Sequence, residues 1–258
     1  MRLSPQGYVL ADEGVVVARD EAGIEVTAED AAYGERVVIC GEWDSKHNTV
    51  NLAKRCIEDK IPGDFVECGI NAGGQPALMA YAIERYGSSY DATRLVHLFD
   101  SFEGHPQAGL GDCREYQAQL GLNLDQKKGI ASGVFIATLE QVQLNMFRWN
   151  VPDRRLIYHK GWLQEVLPAI VDKFPTIALL RVDVDLHDST IPVFEYLYDK
   201  VAPGGYIISD DWGSEALDAV PVNGPRKATL DFFDRRGLPH PKVTQLPRAT
   251  STVWWRKP

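Results

Sequence analysis

Leu179-Leu180-Arg181-Val182-Asp183-Val184-Asp185 and Ile207-Ile208-Ser209-Asp210-Asp211-Trp212 decide the fold. Each is an apolar run that reads as a buried strand, and each ends in two close carboxylates. Between them lie Asp188-Ser189-Thr190-Ile191-Pro192 and Phe194-Glu195-Tyr196-Leu197-Tyr198, a helical composition with proline near its first turn, stopped by Pro203-Gly204-Gly205. Strand, helix, strand is the unit of a parallel sheet. In an open α/β sheet ligands bind in the crevice outside the carboxyl ends of the strands. Asp183, Asp185, Asp210 and Asp211 are therefore expected in one crevice. Their charges repel unless something positive sits among them, and a hard divalent cation with oxygen ligands meets that need.

The rest of the composition narrows the class. A chain of 258 residues that is 45% hydrophobic and 24% charged fits one globular α/β unit with a self-sufficient core. A net charge of -9 argues against nucleic acid as a partner, since phosphate contacts need clustered Lys and Arg. No apolar run approaches a membrane span. Residues 1–20, with Asp12, Glu13 and Asp20, lack a signal peptide's apolar region, so a cytoplasmic protein is expected. Cys40, Cys56, Cys68 and Cys113 show neither CxxC pairing nor zinc spacing to a histidine, and are expected as reduced thiols.

Outward from the acid-tipped strands, Phe65-Val66-Glu67-Cys68 follows the Pro62-Gly63-Asp64 break. It runs through Gly69-Ile70-Asn71-Ala72-Gly73-Gly74 into a helical stretch from Pro76. Gly69 and Gly73 are expected to let the backbone approach a ligand, and Gly74 to let helix and strand pack closely. Leu95-Val96-His97-Leu98-Phe99-Asp100 is the next strand. Its terminal acid stands where a ribose-binding carboxylate belongs, or where a helix cap does. The long polar stretch from Ser101 to Asp125 reads as a functional loop. A helical signal begins near Thr27-Ala28-Glu29-Asp30, which resembles a cap followed by first-turn acids; further helices are expected over 47–60, 137–149, 163–173 and 225–236, with a strand and its exit over 155–162. Two closing strands, 243–246 and 251–255, are expected to pair antiparallel. Gly14-Val15-Val16-Val17 and Ile24-Glu25-Val26 suggest an N-terminal hairpin. Residues 1–60 are read as an extension that caps the site or meets a second subunit, and 61–258 as the principal domain.

Several motifs carry a resemblance. Pro62-Gly63-Asp64-Phe65-Val66-Glu67-Cys68-Gly69 with Gly73-Gly74, then Asp100-Ser101-Phe102-Glu103-Gly104 with Pro106, then Lys160-Gly161-Trp162 with Leu167-Pro168 occur in order. They are followed by Leu180-Arg181-Val182-Asp183-Val184-Asp185 with Ser189-Thr190, Pro203-Gly204-Gly205-Tyr206 with Asp210-Asp211, and Val253-Trp254-Trp255-Arg256. The series resembles the macrocin O-methyltransferase family over residues 62–256. The resemblance implies the class I methyltransferase fold: an α/β, Rossmann-like, mostly parallel seven-stranded sheet, helices on both faces and an antiparallel C-terminal hairpin. It also implies S-adenosylmethionine as methyl donor and Mg²⁺ as metal cofactor.

By the same resemblance, Asp183, Asp210 and Asp211 hold the metal and Asp185 is the general base. Glu67, Gly69, Asn71 and Gly73 face the methionine and ribose of the donor, with Asp183 close to both donor and metal. Asp100 bonds the ribose hydroxyls, and Ser101, Gly161 and Trp162 lie near adenine. The implied acceptor is a sugar hydroxyl, on a glycosylated antibiotic or on a TDP-deoxysugar such as TDP-rhamnose, the 3'-OH favoured. His105, His159 and His187 are rival bases, since a neutral imidazole is a good base near pH 7. The chain departs from the family pattern at Val184, where Gly is usual, at His105, where Leu is usual, and at His187, where an aromatic is usual. Rival readings are a protein resembling the cephalosporin-hydroxylase group and a non-catalytic module with a structural cation. The N-terminal extension and the paired Trp254 and Trp255 suggest a homo-oligomer.

Overall fold

The computed structural model describes residues 2–3, 9–11, 14–17, 24–39, 43–106, 135–213, 224–246 and 251–258. The first four strands are β1 (Arg2–Leu3), β2 (Val9–Ala11), β3 (Gly14–Val17) and β4 (Ile24–Val26), an antiparallel sheet in sequential order. The expected hairpin is its β3–β4 pair, with Val16 opposite Glu25. Thr27 then caps helix α1 (Ala28–Arg36). Its hydroxyl accepts from the Asp30 amide and the Asp30 carboxylate accepts from the Thr27 amide, a reciprocal capping box.

The principal sheet has seven strands. They are β5 (Asp64–Cys68), β6 (Val96–Asp100), β7 (Leu156–Lys160), β8 (Ile177–Val182), β9 (Val201–Ser209), β10 (Thr244–Gln245) and β11 (Val253–Arg256). Their order is β10-β11-β9-β8-β5-β6-β7. β7, β6, β5, β8 and β9 run parallel; β11 is antiparallel to β9, and β10 to β11. The strand order reverses between β5 and β8, so the crevice of the fold opens there.

Successive apolar residues serve opposite faces. Phe65, Leu179, Ile208 and Trp254 pack into one core with α2 (Trp43–Glu58) and α3 (Gly74–Tyr86). Val66, Leu180, Ile207 and Trp255 pack into the other, with α5 (Leu163–Ile170), α6 (His187–Leu197) and α7 (Gly224–Arg235). Burial on both faces is why these strands read as unbroken apolar runs. Trp254 and Trp255 are both buried. They are core residues, one on each face, and lend nothing to an interface between copies. α4 (Leu139–Arg148) packs Val142 and Met146 inward.

Most boundaries fall within a few residues of expectation, and the largest departure is at the start of α2. α2 starts at Trp43, four residues before the apolar periodicity does. Its buried residues include Asp44, Ser45, His47, Asn48, Thr49 and Asn51. A polar helix face turned inward escapes any search for an apolar stripe. Cys56 and Cys68 are buried free thiols, as expected; Cys40 and Cys113 lie outside the described residues. Among the described residues no helix is long and apolar enough to cross a membrane.

Candidate active site

The parallel strands end in step. The amide of Gly69 donates to Phe99 O, that of Gly161 to Asp100 O, that of Asp183 to Cys68 O and that of Asp210 to Val182 O, each at 2.9 Å. Each bond carries the ladder one residue past its strand before the chain turns away. Glu67, Asp100, Asp183, Asp185, Asp210 and Asp211 consequently line one cleft at the switch point, with Gly69, Asn71, Ser101, His105, Gly161 and Trp162. All four aspartates of the two acid-tipped strands meet there. Gly73 does not line the cleft.

Behind these acids, outside the cleft itself, is Arg181, fully buried in β8. Its Nη1 lies 2.6 Å from Glu67 Oε1 and 2.5 Å from Asp183 Oδ2, and its Nη2 lies 2.7 Å from Asp210 Oδ1. Ser45 joins the group: its hydroxyl accepts from Arg181 Nη2 at 3.3 Å and from Gln75 Nε2 at 3.0 Å. Asp210 Oδ1 also accepts from the Thr252 hydroxyl at 2.6 Å. The positive group demanded by the clustered acids is therefore in part a side chain of the protein. Arg181, Ser45, Gln75 and Thr252 were missed as site residues by sequence reasoning. Arg181 did carry a signal, because an arginine inside an apolar strand run is buried only when paired.

One guanidinium does not neutralise the site. Burial, then repulsion from Asp210, pushes the Asp183 carboxyl up to about 7 against the pull of Arg181. Burial and the charges of Asp185, Asp183 and Asp210 push Asp211 well above the usual carboxylate range. Burial does the same to Glu67, with Arg181 opposing. Burial would also raise Asp185, but the hydrogen bond and charge of His105 outweigh it and hold that carboxyl low. One oxygen each from Asp183, Asp185 and Asp211 fall within 4.8 Å of one another. Such an all-oxygen, surplus-negative cluster suits a hard cation.

Asp185 has a left-handed backbone, φ 57°, and its amide donates to Asp211 Oδ2 at 2.9 Å. His105 Nε2 is 2.9 Å from Asp185 Oδ2. The hydrogen bond with Asp185 raises the imidazole pKa against the effect of burial. The other two histidines are elsewhere. His187 Nδ1 is 2.8 Å from Asp188 in the first turn of α6, and His159 Nε2 is 2.9 Å from His97 Nδ1. Neither lines the cleft.

On the other side, Asp100 braces the glycine turn. Its Oδ2 accepts from the amides of Ile70 at 2.9 Å and Asn71 at 3.3 Å, and its Oδ1 from Phe102 at 2.7 Å. Ser101 shapes the next loop, donating to Gly104 O and accepting from the Glu103 amide. Glu67 Oε2 and Gln75 Oε1 are buried and have no hydrogen-bond partner among the described residues. Both residues line the cleft, so a polar ligand with donors fits there. Gly69 and Gly74 line the cleft, and the glycines of the turn also make room for the protein itself. At Gly69, φ 78°, a Cβ would stand 1.8 Å from Asp183 O; at Gly73, φ 88°, it would stand 2.6 Å from Met146 Cε. At Gly74 the obstacle is Val38 O, 2.3 Å away. The missing side chains make room for the protein's own backbone and for α4, because the turn is wedged between β8, α4 and the segment after α1.

The likeness to known proteins agrees with this geometry. The family model described as Macrocin-O-methyltransferase (TylF) matches residues 44–257. A Streptomyces olivaceus protein, 8-demethyl-8-(2,3-dimethoxy-alpha-L-rhamnosyl)-tetracenomycin-C 4'-O-methyltransferase, is 32% identical over 227 residues, which are 83% of this chain and 77% of that one. The solved structure of the O-methyltransferase NovP superposes with a TM-score of 0.66 at 25% identity, covering 83% of this chain and 80% of the other. CalS11, a calicheamicin methyltransferase, gives 0.62 at 20% identity over 82% and 78%, a likeness of fold.

Proposed function

The chain belongs to the macrocin O-methyltransferase family and is an O-methyltransferase that uses S-adenosylmethionine; from that premise we propose that it methylates a sugar hydroxyl with the help of Mg²⁺. The observation that carries this reading is the convergence of Asp183, Asp185, Asp210 and Asp211 beside the glycine turn, with a charge surplus that Arg181 leaves uncovered.

The donor fits the glycine-turn side. Glu67 Oε2 is a buried acceptor in want of a donor such as the ammonium of the methionine moiety. Asp100, with Asn71, is assigned to the ribose, and Ser101, Gly161 and Trp162 to the adenine side. Asp183, Asp210 and Asp211 are assigned to the cation, which would orient the acceptor hydroxyl and lower its pKa. Arg181 holds one oxygen each of Asp183 and Asp210, so their remaining oxygens are presented in fixed directions. Asp185 is assigned as general base, its carboxyl kept ionised by His105. The hydroxyl oxygen bonds to the methyl carbon as the bond to sulfur breaks. The proton goes to Asp185, leaving a methyl ether and S-adenosylhomocysteine. The sulfonium needs no further activation, so the remaining work is alignment.

The acceptor is proposed to be a deoxysugar, its 3'-OH favoured. Between a TDP-sugar such as TDP-rhamnose and a sugar already joined to its aglycone, the charge of the cleft favours the second. Six carboxylates line it and, among the described lining residues, no lysine or arginine does. A pyrophosphate would meet like charge there. Val38 and Phe135, both exposed, give the rim apolar surface for an uncharged aglycone.

The test is incubation with labelled S-adenosylmethionine, Mg²⁺ and a panel of TDP-6-deoxysugars and matched glycosides. Transfer to the glycosides, abolished by EDTA and restored by Mg²⁺, is expected. Undiminished transfer in EDTA would end the metal assignment, and preference for the TDP-sugars would reverse the acceptor assignment.

A further inference from the structure

Asp185 is claimed from two sides. One of its oxygens falls within the same 4.8 Å cluster as oxygens of Asp183 and Asp211, close enough for a cation to recruit all three. Its Oδ2 is at the same time 2.9 Å from His105 Nε2. A carboxylate drawn into a divalent cation's shell turns its lone pairs to the metal and leaves the place from which it would take the acceptor's proton. A base beside a cation site needs something that restrains it from joining the ligands.

We propose that His105 is that restraint: a positioning residue whose imidazole N–H holds Asp185 as a free carboxylate beside the cation site. The inference rests on the cation reading given above. The histidine is built into place. Ser101 accepts from the Glu103 amide and donates to Gly104 O, closing the turn that delivers His105. The Phe102 amide is tied to Asp100 Oδ1 at 2.7 Å. The ring of Phe135 packs against the imidazole with centroids 5.3 Å apart. On the far side, the left-handed backbone of Asp185 and its amide's bond to Asp211 Oδ2 fix where the carboxylate starts from. His105 Nδ1 is buried and has no partner among the described residues, so Asp185 is the imidazole's one hydrogen-bonded anchor there. A leucine in its place would have no N–H to offer Asp185.

Binding of Mn²⁺ by electron paramagnetic resonance, with S-adenosylhomocysteine present, and turnover with a glycoside acceptor are measured on wild type, His105→Leu and His105→Gln. In His105→Leu the freed Asp185 joins the cation. Mn²⁺ affinity rises about tenfold, as an added carboxylate ligand would make it, while turnover falls ~10–100-fold for want of a free base. Opposite movement of affinity and turnover is something a merely structural role does not produce. In His105→Gln the side-chain amide keeps a donor near Asp185, so affinity returns toward wild type and turnover partly recovers. Unchanged or weakened Mn²⁺ affinity in His105→Leu overturns the inference, as does unchanged turnover. A wild type that binds no Mn²⁺ fails earlier, at the cation reading itself, and is seen before any variant is compared.

Discussion

Replacing Arg181 by methionine, which keeps much of the volume and none of the charge, tests the electrostatic account of the site most directly. The guanidinium is fully buried and faces three carboxylates, of Glu67, Asp183 and Asp210, at 2.5–2.7 Å. Removing one partner of a buried ion pair costs about 3–5 kcal/mol, because a charge is left uncompensated. Three partners do not triple that cost, since the carboxylates can take up protons, at about 1.4 kcal/mol per unit of pKa shift. For a domain of this size each kcal/mol lowers Tm by roughly 2–4 °C, so a fall of roughly 6–20 °C is expected at pH 8. The sign with pH follows from the shifts already present. Glu67 and Asp183 lie above the ordinary carboxylate range with Arg181 in place, and without it they rise further. Groups whose folded pKa exceeds the unfolded value stabilise at low pH and lose that contribution as pH rises through the folded value. The deficit of Arg181→Met is therefore smaller at pH 6 than at pH 8, and Mg²⁺ recovers part of it at pH 8. The assay is thermal unfolding of both proteins at the two pH values, with and without Mg²⁺. A deficit under about 2 °C at pH 8, or one that does not change with pH, would refute the claim that Arg181 holds ionised carboxylates in place.

Three further outcomes are expected. Asp185→Asn lowers turnover ~10²–10⁴-fold, the range of general-base catalysis, with donor binding by calorimetry unchanged; full activity would remove Asp185 from that role. Gly69→Ala puts a methyl 1.8 Å from Asp183 O at a φ of 78°, which something must move to relieve. A loss of about 3 kcal/mol or more in urea unfolding follows, whereas Gly237→Ala, with open space around its Cβ position, stays within about 1 kcal/mol. Burial, with His97 beside it, pushes His159 down to about 4, so the unfolded chain binds a proton below pH 6.5 that the folded chain refuses. Stability is lost as pH falls from 6.5 toward 4. Because the cleft acids act with opposite sign, the quantity to read is the difference between proteins: His159→Gln loses ~1 kcal/mol less than wild type between pH 6.5 and 5, after allowance for solvent screening.

The strand runs, their acid tips and the glycine turn were legible in the sequence because they are local. Alternation, turn residues and caps are set by neighbours a few positions apart, and the cap at Thr27 and the β3–β4 hairpin were read the same way. The placing of four aspartates in one cleft followed from a rule about parallel sheets, which needs only the element order. What joins the site together was not local. Ser45 lies against Arg181 and Asp210 across 136 and 165 residues of chain, and Arg181 reaches Glu67 across 114. Those contacts exist because the sheet order sets β5 beside β8 and β8 beside β9, with α2 laid across them. His105 was visible as a rival base; that it grips Asp185 depends on where its loop crosses the crevice. The sequence by itself determined which residue types stand at the strand ends and hence what chemistry is available. Only the tertiary structure decided that Arg181 supplies part of the counter-charge, that Gly69 yields to Asp183's carbonyl, and that Asp185 is held from the side. Each is a matter of burial and distance between segments far apart in the chain, and no periodicity within a segment encodes it.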